Sequence, residues 1–570
     1  MKLALALGLA LLSPIGARAQ APTDPAEDTF RAMTDEMRRT ASRLEMNRLG
    51  KPYFVGFTVL DSYRLEVEGS FGALRDPNMS HTREIKASLR VGDHRFDQSH
   101  YVGRDYWRYR PFTDEAPFEP DYDALRYNLW QLADAAYKYS LEKFSQKKAY
   151  QLSRSMEDDK LNDFSEEEVH SSRTPVPIEP FNPEPWHDTV RKVSGVFKAF
   201  PEIQSSGASL YWTQRQQYYV DNEGRRTLKP ANDYEFSIQA SAQAGDGLSV
   251  SDKRRFIRQS LADMPGTSDL EAEAARTARD VSALTKAPAM ETYIGPVLLE
   301  GQASAEFFNQ LLAHNLSFGR APWIEDERLK ENYASGELAE RLGQRVISPL
   351  ISVTDDPSMP SFSGQPLIGR YAIDDEGIPS RKIPLIAKGI LKDVLMSRAP
   401  IKERSHSNGH GRGNFTEFPS ARISSLIIKA EKSLTHKAMK EELLQRARDY
   451  GLPYGIVIRR LGEEDAQEKD EILAAPILVY RVYVIGGREE LVRNARFSGV
   501  TLRALRDIVA ASDKDYVYNY YQLGPDKSNR GQLQASIVCP SILVAEMELK
   551  KTEKKPERRP YLTHPYFSKR

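Results

Sequence analysis

The chain has 570 residues, too many for one hydrophobic core, and the length predicts two large domains. With 40% hydrophobic and 9% aromatic residues it has the composition of a packed globular protein, which excludes a mainly disordered class. Its 80 basic residues balance 80 acidic ones, so no whole-protein field draws it to nucleic acid or to an anionic membrane, and no nucleic-acid partner is expected.

In chain order, the first feature is an address. Lys2 supplies a positive start, Leu3 to Leu12 is apolar, and Ala17-Arg18-Ala19 fits the small-x-small cleavage rule. Residues 1–19 are therefore expected to be a signal peptide, leaving Gln20 first and placing the protein in the periplasm or outside the cell. The apolar run is far shorter than the roughly 20 residues of a membrane span, and no later segment is long and apolar enough, so no transmembrane anchor is expected. Cys539 is the single cysteine, which rules out an internal disulfide.

Phe30, Met33, Met37, Ala41 and Leu44 recur at spacings of three and four, one apolar stripe on a helix. Tyr53 to Leu60 is a continuous apolar strand candidate, and Ile85, Ala87, Leu89 and Val91 alternate as in a strand covered on one face. A helix is expected around Tyr122 to Lys147. An acidic and proline-rich stretch near 155–187 then reads as a surface excursion or linker. Tyr218 to Gly224 is a strand running into a turn, and Leu270, Ala274, Ala278 and Val281 mark a helix from about Ser268 to Leu284. The main boundary is expected near Pro288.

The second half opens with Tyr293-Ile294-Gly295-Pro296-Val297-Leu298-Leu299-Glu300-Gly301, a strand that stops at glycine, with Ser304 able to cap the following helix. That helix carries Asn309, Gln310 and His314. Here the sequence resembles the TldD/PmbA metallopeptidase family, also called modulator of DNA gyrase, in which a G-P-V-L-x-E-G strand leads into a helix bearing H-E-x-x-x-H. The resemblance implies that the two histidines hold zinc and the glutamate serves as general base. In this chain those positions read Asn309, Gln310 and His314. Asparagine is a poor zinc ligand beside imidazole, and glutamine cannot take a proton from metal-bound water. The family's third ligand, a cysteine in a glycine-rich segment near the C-terminus, has no counterpart in Asp526 to Gly531; Cys539 lies in the strand beyond.

The resemblance extends over some 250 residues. Ser348 to Asp356 is similar to the family's S-P-L-x-x-x-x-D-D strand, Ile373 to Pro379 to its D-D-E-G-x-P hairpin, and Ile386 to Leu391 to its I-x-x-G-x-L return strand. Both turns have hairpin chemistry. Asp374, Asp375 and Glu376 are read as solvated turn carboxylates, with a cation site or an acid/base pair as the alternatives. Arg404 to Asn414 is a glycine-rich loop whose His406, Asn408, His410 and Arg412 are substrate-loop candidates; His406 and His410 could also join His314 in a rebuilt metal site. Leu426 to Ile428, Tyr454 to Ile458, Ile477 to Ile485 and Val538 to Val544 are strand candidates. Thr435 to Tyr450 and Thr501 to Val509 read as amphipathic helices, and Tyr480 to Arg493 as a hairpin across Gly486-Gly487.

The expected fold class is α+β in two domains, with a large, mainly antiparallel C-terminal sheet. The expected organisation is a signal peptide at 1–19, an N-terminal domain at 20–287, a TldD/PmbA-like domain at 288–549 and a basic, solvated tail at 550–570. No metal and no cofactor are expected. The leading function is a metal-free homologue that binds unfolded or extended polypeptide or supports a catalytic partner, as a homo-oligomer or with a TldD/PmbA-type paralogue. The alternative is an active zinc metallopeptidase of unfolded peptides with a rearranged ligand set that includes His314. An envelope protein without a groove is a third class.

Overall fold

The computed structural model describes residues 25–568 apart from 47–49, 76, 155–160, 174–180, 318, 334–335, 337, 403, 468–470, 524–532, 553–559 and 563. The signal peptide with its cleavage site, the Asp526–Gly531 segment, parts of the 155–187 stretch and the most basic part of the tail lie outside the described residues. No described helix is long and apolar enough to cross a membrane.

Two sheets organise the chain, as expected of an α+β protein with two domains. The first has eight strands among the described residues, with the order Phe112–Glu115, Asn78–Arg90, Phe54–Ser70, Ser205–Asp221, Arg226–Gln243 and Ser171–Arg173, and with Ala73–Leu74 paired to Phe54–Ser70 and Ser249–Arg258 to Arg226–Gln243. Its long strands are antiparallel, so alternate residues face opposite sides. One stretch packs on helices Pro25–Arg43 and Tyr122–Ser153 through Phe30, Met33, Val55, Phe57, Val59 and Leu129. Another packs on Glu184–Gly195 and Thr267–Lys286 through Val67, Val193, Leu210, Ile238, Leu270 and Val281. Each helix turns apolar residues to the sheet, and Tyr122–Ser153 also buries Lys143 and Lys147, which pair with Asp105 and Asp163.

The second sheet has eleven strands and runs from Ile390–Leu391 through Ile383–Ala387, Ile351–Asp355, Ser425–Ala430, Leu533–Lys551, Tyr293–Leu299 and Tyr454–Leu461 to Pro476–Tyr483 and Glu489–Val492. It is mainly antiparallel, with parallel pairing of Ser425–Ala430 to Leu533–Lys551 and of Tyr293–Leu299 to Tyr454–Leu461. The central Leu533–Lys551 strand is buried on both faces, which is why Ala535, Ile537, Val538, Cys539, Ile542, Leu543 and Val544 form a nearly unbroken apolar run. Helix His436–Asp449 packs Met439 and Leu443 on one face, and the Gln302–Phe308 helix covers the other.

Several expectations need correction. Thr501 to Val509 is not a helix: a short turn at Leu502–Leu505 leads into the strand Ile508–Gln522, which pairs along Leu533–Lys551. Cross-strand pairing overrides the local helical spacing. Ser304 does not cap its helix; the chain turns at Gly301, φ 52°, and Ser304 Oγ donates instead to Pro540 O at 2.7 Å. Within 155–187, Asp163, Phe164 and Ser165 are buried, and Glu184 already begins a helix. Asp163 accepts from the backbone N–H of Asp97 at 2.8 Å and pairs with the buried Lys147, so this part of the stretch is packed rather than loose. The tail also returns to the body, where His564 and Phe567 pack on Phe71.

Candidate functional site

The Tyr293–Leu299 strand delivers the chain into a helix that is wholly buried from Gln302 to Ala313. Asn309–Ala313 is a π turn, closed by a hydrogen bond from His314 N to Asn309 O. On a regular α-helix, residues five apart point roughly 140° away from each other. The π turn aligns i with i+5 and brings positions 309 and 314 onto one side. The helix thus keeps the geometry that a five-residue ligand spacing requires, while its side chains have other uses.

Those uses are structural. Gln310 Nε2 donates to Glu306 Oε2 at 2.9 Å and to Gly462 O at 2.9 Å, and Gln310 Oε1 accepts from Ala474 N at 2.7 Å and from Gln467 at 3.2 Å. Both ends of the amide are therefore committed. Asn309 Nδ2 donates to Glu306 Oε2 at 3.1 Å. His314 lies partly exposed, with Nδ1 3.5 Å from Glu464.

Glu306 is the centre of this arrangement. It is 1% exposed, and Oε1 accepts from the Tyr518 hydroxyl at 2.5 Å while Oε2 takes both amides. Burial first, then the neighbouring charge of Glu463, pushes its carboxyl up to about 7, against the pull of those three donors. No cation among the described residues forms an ion pair with it. Glu463 itself is held by Arg255 of the first sheet.

Glu306 and Asn309 border a cavity of about 520 Å³ between the two sheets. Its walls come from Arg64, Tyr211, Asp233 and Arg255 on the first sheet side, and from Glu463, Tyr518 and Tyr520 on the second. That volume suits a small molecule or a few residues of a peptide. Of the residues singled out from sequence, Asn309 alone is in the described wall.

The glycine-rich loop has a different place. His410 is fully buried, with Nε2 3.1 Å from Asp355 Oδ1. Arg412 donates to Ile423 O and Gln534 O, at 2.7 and 2.8 Å. Asn408 Oδ1 accepts from Met396 N at 2.8 Å and Nδ2 donates to Val394 O at 2.9 Å, which ties the loop down. His406 is exposed, with Nδ1 3.5 Å from Glu167. His314, His406 and His410 are not gathered: no group of three His, Cys, Asp or Glu side chains among the described residues is placed to hold a metal ion.

The Asp374-Asp375-Glu376 hairpin corrects another expectation, because Asp374 and Glu376 are buried and Asp375 is largely enclosed and paired with Lys229. Asp374 accepts from the backbone N–H of Glu376, Ile378 and Gly411, each at 2.9 Å. Burial and Glu376 raise its carboxyl to about 7. Burial acts the same way on Asp375, but Lys229 of the first sheet and the Gly413 N–H outweigh it and hold that carboxyl at about 2. Glu376 accepts from Arg398 N at 2.7 Å, and Arg398 reaches across to Glu223 at 2.8 Å and Ser165 O at 2.6 Å. Loop and hairpin together form an ionic seam that joins the two sheets.

Sequence reasoning missed Glu306, Tyr518 and Tyr520. One signal was present: Glu306 is the single charged residue between Gln302 and Ala313, three and four positions before Asn309 and Gln310.

The residues present do not fit the family's zinc site. Of its three ligands only His314 remains, the base position holds a committed amide, and Cys539 is buried in the central strand. Burial pushes that thiol up to about 12, so it is protonated and packs near Ser304.

Comparison with known proteins agrees with the fold and the motifs. Residues 292–551 match the PmbA/TldA metallopeptidase C-terminal domain. A metalloprotease of Archaeoglobus fulgidus is 28% identical over 173 residues, 30% of this chain and 36% of that protein. One of Methanocaldococcus jannaschii is 34% identical over 91 residues, 16% of this chain and 19% of that protein. The chain thus spans about a third and a fifth of the lengths of these relatives. Among solved structures, a modulator of a DNA gyrase from Thermotoga maritima superposes with a TM-score of 0.58 at 15% identity, over 92% of this chain and 99% of that one. TldE from Thermococcus kodakarensis gives 0.58 at 14% identity, over 91% and 99%. The solved structures share the fold along most of the chain, and with its C-terminal domain matched by the family model and by metalloprotease relatives the chain belongs to the TldD/PmbA family.

Proposed function

We infer that this chain is a metal-free TldD/PmbA homologue that binds extended polypeptide in the cavity between its sheets, acting alone or beside a catalytic paralogue. The observation that carries this reading is the commitment of Gln310: an amide with both ends hydrogen-bonded to Glu306, Gly462 and Ala474 has neither a lone pair for a proton nor freedom to turn toward a metal. The cavity beside it is large enough for a peptide segment and mixes aromatic with charged walls. The leader expected at residues 1–19 would direct this activity outside the cytoplasm.

Purified native protein tests the reading directly. Elemental analysis is expected to find far less than one zinc per chain, a randomised decapeptide pool should bind, and mass spectrometry should read the N-terminus at Gln20. Stoichiometric zinc that is lost on His314→Ala, together with chelator-sensitive cleavage of the pool, would establish the zinc peptidase instead.

A further inference from the structure

The walls of the cavity are not neutral in their demands. Six acidic side chains line it against Arg64, Lys253 and Arg255. The nearest acids are already answered: Glu463 pairs with Arg255, and Asp233 with Arg215. Glu306 is not. It receives three neutral donors and, among the described residues, no cation, in a position that is 1% exposed. A buried carboxylate without a counter-ion is costly, and hydrogen bonds from neutral groups offset only part of that cost.

A second, independent feature lies next to it. Tyr520 lines the same cavity, is 3% exposed, and its Oη makes no well-formed hydrogen bond. The Gln522 side chain comes within weak hydrogen-bonding reach of that hydroxyl without a well-aligned bond, and Gln522 Oε1 is itself unpaired. Tyr518 and Tyr520 alternate along the Ile508–Gln522 strand and stack with centroids 5.3 Å apart and planes 8° apart. Their hydroxyls thus point the same way, Tyr518 to Glu306 and Tyr520 beside it. Buried polar groups are ordinarily satisfied, so an unpaired hydroxyl beside a buried carboxyl that has neutral donors but no counter-ion marks the place of a ligand group.

We propose that the cavity receives a protonated amine of the bound polypeptide, with Glu306 as counter-ion and the Tyr520 hydroxyl as a second acceptor. An ammonium group supplies three donors and one positive charge, which answers both groups at once. The amine is either an α-ammonium or a lysine ε-ammonium; their chemistry at this site is the same. The proposal rests on the polypeptide-binding reading and specifies which group of the peptide is recognised.

The test compares a randomised decapeptide pool with pools acetylated at the α-amine, at lysine, or at both, by fluorescence anisotropy against the full chain. Blocking one class of amine should weaken binding at least tenfold and identify the source, and n-butylammonium should compete. Tyr520→Phe, which removes only the unpaired hydroxyl, should fold normally and reduce the discrimination severalfold; Glu306→Gln should abolish it. Binding of all pools with equal affinity would overturn the amine proposal and leave polypeptide binding intact. Binding of none of them would overturn both.

Discussion

Glu306 shows how far a single residue departs from its sequence context. Its carboxyl is raised from an ordinary 4.5 to about 7 by burial and by Glu463. Because the folded state holds this proton more tightly than the unfolded chain, the contribution to stability is full below pH 4.5 and is lost as pH rises through about 7. Glu306→Gln never ionises, so it should lack this loss. In thermal melts from pH 4.5 to 8 the wild type should lose stability relative to Glu306→Gln, by at most a few kcal/mol. A constant difference between the two would show that the carboxyl titrates normally. The sequence displayed this residue as one acid in an apolar helix; its charge state depends on Tyr518 and Glu463, which are distant in the chain and near in space.

At the scale of elements, the π turn and the glycine-rich loop are the two local structures that shape the site. Gly409 has φ +78°, and a Cβ there would lie 2.2 Å from Pro379 O, so both conformation and space require glycine. Gly451, at φ +68°, has nothing within 4 Å of its would-be Cβ. Gly451→Ala should therefore cost only about 1 kcal/mol of conformational strain, whereas Gly409→Ala should cost more than about 2 kcal/mol, because backbone must move as well. Equal melting temperatures for the two variants would show that the loop is not clamped as described. The loop was legible as glycine-rich and polar, but not the use of Asn408, His410 and Arg412 in hydrogen bonds to neighbouring strands and loops.

For the whole molecule, the ionic seam between the sheets matters most. Lys229 of the first sheet neutralises Asp375 of the second, and Arg398 bridges to Glu223. Lys229→Met leaves the Asp375 carboxylate without its cation and should destabilise the protein by roughly 3 kcal/mol. Adding Asp375→Asn should recover part of that loss, since a neutral amide no longer needs the charge. Denaturant unfolding would measure both, and additive effects would show that the pair is not coupled.

The sequence by itself determined the class of the fold and most of its elements, because apolar spacing of three and four or of two reflects which face of a helix or strand is buried. The G-P-V-L-x-E-G strand, the D-D-E-G turn and the changes at Asn309 and Gln310 were also legible, since each is a local statement about residue type. Tertiary structure alone decided the rest. It made Ile508–Gln522 a strand through pairing with Leu533–Lys551, turned the D-D-E-G carboxylates from solvent into an inter-sheet seam, and separated His314 from His410. It also placed Tyr518 and Tyr520 beside Glu306, more than 200 residues away in sequence. Burial and charge pairing depend on what lies across the interface, and no local pattern carries that information.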